Sequence, residues 1–320
     1  MSSDWPIARL HVVTGKGGTG KTTVAAALAL ALAAGGKRTL LLEVEGRQGI
    51  AQLFDVPPLP YAERKIAVAP RGGEVRALAV DAEEALLEYL DMFYKLGRAG
   101  KALKKFGAID FAATIAPGMR DVLLTGKVKE AVTRTERGHR VYDAVVLDAP
   151  PTGRIGRFLN VTAEVAGLAR MGPIKTQSDG VMAVLRSPMT SVHVVSLLEE
   201  MPVQETSDAI TELTGSGIPV GTVMVNAVRA PALAGARVTA AELKRGLTAA
   251  GLPTDKATVK ALVDEATDHR TRLTLEERLR GELEELGRPM LELPFLPDGV
   301  DLGGLYTLAD ALCEQGVSAP

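Results

Sequence analysis

Apolar residues in this chain come in two rhythms: short unbroken runs, and longer stretches in which they recur at helical spacing. Residues 10–13 are a short apolar run, and residues 24–34 are an alanine- and leucine-rich run closed by Gly35 and Gly36. Residues 39–44 hold five apolar or β-branched side chains among six, the composition of a strand buried on both faces. Further strands are predicted at 75–80, 142–147, 191–197, 221–225 and 291–294. Helical segments lie between them. Asp81 opens one, with acidic residues in its first turn and Leu86, Leu90, Phe93, Leu96, Leu103 and Phe106 at roughly helical spacing. Residues 160–188 read as helical or irregular, 199–213 as a helix, 232–288 as a charged, helix-rich segment and 305–312 as a closing helix. Residues 51–61, with three prolines, read as a linker. Strands alternating with helices predict the α/β class, with a doubly wound, mainly parallel sheet. The chain reads as a single domain over 1–320, with helix-rich insertions at about 80–135, 158–190 and 232–288.

The first apolar run leads into Thr14-Gly-Lys-Gly-Gly-Thr-Gly-Lys-Thr-Thr23 and then into the first helix. The spacing Gly15-x-x-x-x-Gly20-Lys21-Thr22 is that of a phosphate-binding loop, whose backbone N–H groups wrap a phosphate at a helix N-terminus. Gly15, Gly17, Gly18 and Gly20 let the backbone approach phosphates without Cβ atoms in the way. With Thr19 and Thr23 they complete the expected ATP/ADP site. Lys21 is expected to reach the β/γ-phosphates, and the Thr22 hydroxyl to enter the Mg²⁺ shell. Lys16 follows the first glycine and adds a second cation. Beside a triphosphate it would stabilise the charge that develops during phosphoryl transfer; the alternative is a solvated loop lysine.

Asp148, at the tip of the apolar run 142–147, reads as the acid that holds Mg²⁺ in such sites. The stiff, then flexible Pro150-Pro-Thr-Gly153 turn suits a loop whose position reports the γ-phosphate. Glu43 and Glu45 lie two apart at the end of the second strand, so an extended chain points them the same way. They are either a solvated pair or a device for positioning the attacking water. Asn226 ends the strand 221–225, where its carboxamide either caps the strand or pairs with adenine.

Composition narrows the rest. The chain has 320 residues, 46% apolar and 24% charged, as in ordinary soluble globular proteins. With 37 basic and 39 acidic residues, charge gives no reason to expect nucleic acid as a partner. The single Cys313 excludes an internal disulfide and a multi-cysteine metal site within one chain. No basic-then-apolar leader and no apolar run of about 20 residues is present, so a cytoplasmic protein is expected. The scattered His11, His139, His193 and His269 suggest no metal site. Lys95, Arg98, Lys101, Lys104 and Lys105 are either the wet face of a helix or a dock for an acidic surface. Met92, Met119, Met171, Met182, Met189 and Met201 are either core filler or the lining of an adaptable hydrophobic groove.

The loop with Lys16 resembles the deviant Walker A motif, whose signature lysine crosses a dimer interface to the partner's nucleotide. Together with the Asp148 segment and Asn226, it resembles the family of arsenical-pump ATPases and ATPases that target tail-anchored membrane proteins. Asp148-x-x-Pro-Thr-Gly-x-x-x-Arg-Phe-Leu159 is similar to the family's second switch, Asp-Thr-Ala-Pro-Thr-Gly-His-Thr-Leu-Arg. Ala116-Pro-Gly-Met119, Val203-Gln-Glu-Thr206, Glu212-Leu-Thr214 and Leu293-Pro-Phe-Leu296 are similar to further family segments. The resemblance implies an ATPase that dimerises with itself or with a paralogous ATPase, and that couples its nucleotide state to a hydrophobic client or membrane partner. It gives Asn226 and Pro294 places beside adenine, and Glu45 the place of the first-switch aspartate that orients water. Glutamate is one methylene longer there, so hydrolysis is expected to be slow or partner-dependent. The Cys-x-x-Cys zinc pair of the eukaryotic targeting members is absent. Two alternatives are a weakly active subunit paired with an active paralogue and a Min/Par-type positioning ATPase, which shares the signature lysine.

Overall fold

The computed structural model describes residues 5–94, 118–168, 173–232 and 238–320. Eight strands form one sheet: β1 (Leu10–Gly15), β2 (Arg38–Glu43), β3 (Arg64–Val68), β4 (Glu74–Ala79), β7 (Ala144–Asp148), β8 (Thr190–Ser196), β9 (Val220–Val228) and β10 (Met290–Pro294). Their order is β10-β9-β8-β1-β7-β2-β4-β3, parallel throughout except for β3, which pairs antiparallel with β4 at the edge. This is the mainly parallel α/β sheet that the alternation predicts. Four small elements escaped the sequence pattern. β3 is a five-residue edge strand rich in charge, β5 (Thr135–Glu136) and β6 (His139–Arg140) form a two-residue ladder, and α2 (Gly49–Leu53) opens the stretch read as a linker. None buries a periodic face long enough to stand out.

Strand alternation divides the core. On one face lie α1 (Lys21–Ala33), α2 and α10 (Leu302–Glu314), packed on Val13, Leu41, Val146, Val195 and Met224. On the other, Leu10, Val12, Leu42 and Leu147 meet five helices. These are α4 (Met119–Thr133), α5 (Thr152–Leu168), α6 (Pro173–Leu185), α7 (Glu200–Gly215) and α9 (Lys256–Glu284). α1 is buried from Val24 to Ala33, which explains why its sequence lacks a polar stripe. α3 (Ala82–Tyr94) and α4 lie within the first expected insertion, and α8 (Ala240–Ala249) and α9 make up most of the third. The basic residues of 95–105, together with Leu96, Leu103, Phe106, Ala116, Pro117 and Met171, lie outside the described residues.

Two of the scattered histidines meet in the interior. His11 and His193 are fully buried, stacked on each other and on Trp5. The Thr222 N–H donates to His193 Nδ1 at 3.3 Å, so the His193 proton sits on Nε2. That proton points to His11 Nδ1 at 3.0 Å, which leaves His11 Nε2–H to donate to the Ala8 carbonyl at 3.1 Å. The chain of bonds closes with both rings neutral. Burial pulls His11 down to about 4 and His193 well below its usual value. The unfolded chain therefore takes up protons below about pH 6.5 while the fold does not, and stability falls between pH 6.5 and 4, by about 3 kcal/mol from His11 alone. Chemical unfolding midpoints of Asp148→Asn measured from pH 7.5 to 4.5 should show this decline, since in the unaltered chain the buried Asp148 carboxyl, pushed up to about 6, shifts stability the opposite way over the same range. A flat profile would mean that the pair is charged in the fold.

Candidate active site

β1, β7 and β2 end level with one another, Val13 beside Asp148 and Asp148 beside Glu43. The loop that leaves β1 turns at once, and Gly15 has no alternative there, since a Cβ would come within 2.3 Å of the Val195 carbonyl. Gly20 ends the loop in the left-handed region (φ 85°), where a side chain would also strike Asn226. α1 then starts at Lys21 with no side-chain cap, leaving its first N–H groups for an anion. Lys21 Nζ folds over the loop to the Lys16 carbonyl at 3.3 Å. Burial lowers its pKa, against the pull of Asp148 and Glu45.

Thr22 Oγ1 donates to Asp148 Oδ2 at 2.8 Å. Asp148 is buried, which pushes its carboxyl up to about 6 despite that bond. A hydroxyl and a carboxylate, side by side at the head of α1, are the hard oxygen donors that Mg²⁺ accepts alongside phosphate oxygens. The Thr14 hydroxyl ties this corner to the Pro150 carbonyl at 2.7 Å, anchoring the turn after Asp148.

Two long-range ion pairs surround the loop. Lys16 Nζ contacts Glu205 Oε1 on α7, and Glu205 Oε2 accepts from Thr152 Oγ1 at 2.7 Å, at the start of α5. These two bonds hold the Glu205 carboxyl below the usual carboxylate range. Across the loop, Glu45 meets Arg154 at 3.2 Å and Arg47 at 3.8 Å. Asn226 Nδ2 donates to the Thr19 carbonyl at 2.9 Å. Beyond it, Ala227 adopts a left-handed conformation (φ 57°), and β9 swings so that Val228 accepts from the Phe295 N–H and Arg229 lies over the Phe295 ring at 3.6 Å. A cavity of about 620 Å³ opens here, walled by Asn226, Arg229, Leu198, Leu275 and Phe295. Pro294 is exposed at the end of β10 and lies outside that wall.

Residues 8–189 match the profile of the family described as Anion-transporting ATPase. The chain belongs to the anion-transporting ATPase family. It is 55% identical over 330 residues to "ATPase BagA" of Mycobacterium tuberculosis (strain ATCC 25618 / H37Rv), covering 99% of this chain and 97% of that protein. It is 26% identical over 249 residues to "ATPase GET3" of Kluyveromyces lactis, covering 67% and 70% of the two chains. With "Putative arsenical pump-driving ATPase 2" of Aquifex aeolicus it shares 29% identity over 148 residues, 45% and 46% of the two chains.

In this member of the family, Lys16, Lys21, Thr22, Glu45, Asp148 and Asn226 gather around one loop, although they come from four strand ends and one helix start. Sequence reasoning gave Glu205 and Arg154 no role. Both sit inside segments resembling the family's, and Arg154 stands where that pattern has histidine. Their partners are too distant in the chain for periodicity to reveal. Among the described methionines, Met182 and Met189 pack against the core while Met201 is exposed, so these three share no groove. Cys313 Sγ lies against the Ala31 carbonyl at 3.8 Å, on α10.

Proposed function

We propose that this chain is a magnesium-dependent ATP hydrolase of the cytoplasm, acting as a dimeric switch that couples its nucleotide state to a hydrophobic client or membrane partner. The observation that carries the reading is the Thr22–Asp148 contact at the head of α1, beside a loop bearing two lysines. Thr22 and Asp148 would hold Mg²⁺, and the bound ion would neutralise charge between the β- and γ-phosphates. The N–H groups of residues 15–23 would cradle the phosphates, with Lys21 on the β/γ pair. Lys16 would answer the charge that builds at the transition state. Glu45 would orient the attacking water. Asn226 would meet the adenine edge, with the ring lying in the cavity beside Phe295.

The ion pairs favour a second reading. A Glu45 carboxylate shared between Arg154 and Arg47 is partly neutralised, which weakens it as an acceptor for the attacking water. Such a subunit would hold ATP with little turnover until a relative pairs with it.

Steady-state ATP hydrolysis with and without Mg²⁺, alongside solution mass with and without ATP, tests both. Magnesium-dependent turnover with an ATP-driven doubling of mass is the expected result. Tight ATP binding with no turnover would favour the paired subunit. No nucleotide binding would end both readings.

A further inference from the structure

We infer that Glu43 is a second carboxylate of the divalent-cation site, a positioning residue that ties the cation to the first turn of α2. The inference rests on the magnesium–nucleotide reading above. Its basis is a carboxylate oxygen with nothing to bind. Glu43 is 2% exposed, at the end of β2. Its Oε1 accepts from the Gly49 N–H at 3.2 Å, and its Oε2 is buried without a hydrogen-bond partner. A buried, unpaired carboxylate oxygen is costly, and native folds keep one only where something else satisfies it.

The sheet shows what that is. Glu43 and Asp148 are direct neighbours on adjacent parallel strands, about 4.8 Å apart at the backbone. Two residues earlier, Leu41 and Val146 pack together under α1, so strand alternation sends Glu43 and Asp148 to that same face. Thr22, from the first turn of α1, reaches down to Asp148. Gly49 closes the other side, where a Cβ would approach Thr22 Cγ2 to 3.2 Å. Two carboxylates thus lie abreast in the interior with one hydroxyl and one amide as donors. Among the described residues neither carboxylate enters an ion pair. Like charges so placed repel, and a hard divalent cation is the group that reconciles them. With Oε1 on α2 and Oε2 toward the cation, Glu43 fastens the segment 44–48, which carries Glu45, at both ends.

The bland rival is that Glu43 only caps α2. Glu43→Gln separates the two, because the amide keeps an acceptor for Gly49 and loses the charge. Mn²⁺ binding to the protein–ADP complex, read by electron paramagnetic resonance, should weaken about 10-fold or more, in line with perturbed metal shells. ADP affinity in EDTA should hold, and the variant in EDTA should melt above wild type. Wild-type Mn²⁺ affinity in the variant would overturn the inference and leave the capping role. Glu43→Asp keeps the charge and shortens its reach, so it should fall between the two. Should the Gln variant not fold, undiminished Mn²⁺ binding by the Asp variant would count against the inference and weakened binding would support it. A wild-type protein that binds neither ADP nor Mn²⁺ would instead overturn the magnesium–nucleotide reading itself.

Discussion

Asp148→Asn should reduce magnesium-dependent ATP turnover on the order of 1,000-fold while making the nucleotide-free protein more stable. Both effects come from the same burial. At neutral pH the carboxylate is ionised in a site that pushes its pKa up to about 6, from 3.8 in the unfolded chain. That shift places roughly 3 kcal/mol against the fold at pH 7. Asparagine removes the charge but keeps an oxygen to accept from Thr22, so the hydrogen bond survives and the penalty does not. The pH dependence gives the sign. A carboxyl with a raised folded pKa binds its proton more tightly in the fold, so the fold is favoured below about pH 4 and loses that advantage as pH rises through 6. The gain from asparagine should therefore be full above pH 6 and vanish near pH 4. Thermal melts in EDTA at pH 7.5, 6 and 4.5 measure it. A variant that melts below wild type at pH 7.5 would mean that the ionised carboxylate is stabilised in the free protein.

Lys16→Ala should cost a similar factor in turnover, about 1,000-fold, with nucleotide affinity nearly unchanged. A cation supplied to a transferring phosphoryl group acts on the transition state more than on bound ATP. In one chain Lys16 contacts Glu205, and its side chain is 31% exposed. An ion pair this exposed holds its geometry weakly, so the lysine is free to leave it for a partner's triphosphate. Mixing decides whether it does. Lys16→Ala lacks the cation and Glu45→Gln lacks the water-orienting carboxylate, and each alone should be nearly inactive. If Lys16 acts across the interface, the mixed dimer rebuilds one intact site from Glu45 of one chain and Lys16 of the other. Equal amounts should then recover about a quarter of wild-type turnover, since half the dimers are mixed and each has one working site. No recovery would place Lys16 in its own chain's site.

Much of this protein is written locally. The loop at residues 14–23 is legible because its geometry depends on glycines at fixed spacing, and Gly15 and Gly20 are where a Cβ would collide. Parallel strands buried on both faces must be apolar along their whole length, so β1, β2, β7 and β8 announce themselves, and Asp148 stands out because it ends such a run. The tertiary structure alone placed Glu43 beside Asp148, Lys16 on Glu205 across 189 positions, and Arg154 on Glu45 across 109. It alone put Phe295, one residue past Pro294, into the cavity wall, and it stacked two scattered histidines into a neutral pair. The edge strand β3 and the turn of α2 were also its decision. Periodicity and motif spacing report what a residue does with neighbours a few positions away. Charge pairing, proton placement and cavity walls depend on which strand ends the folded sheet brings level, and no local pattern carries that register.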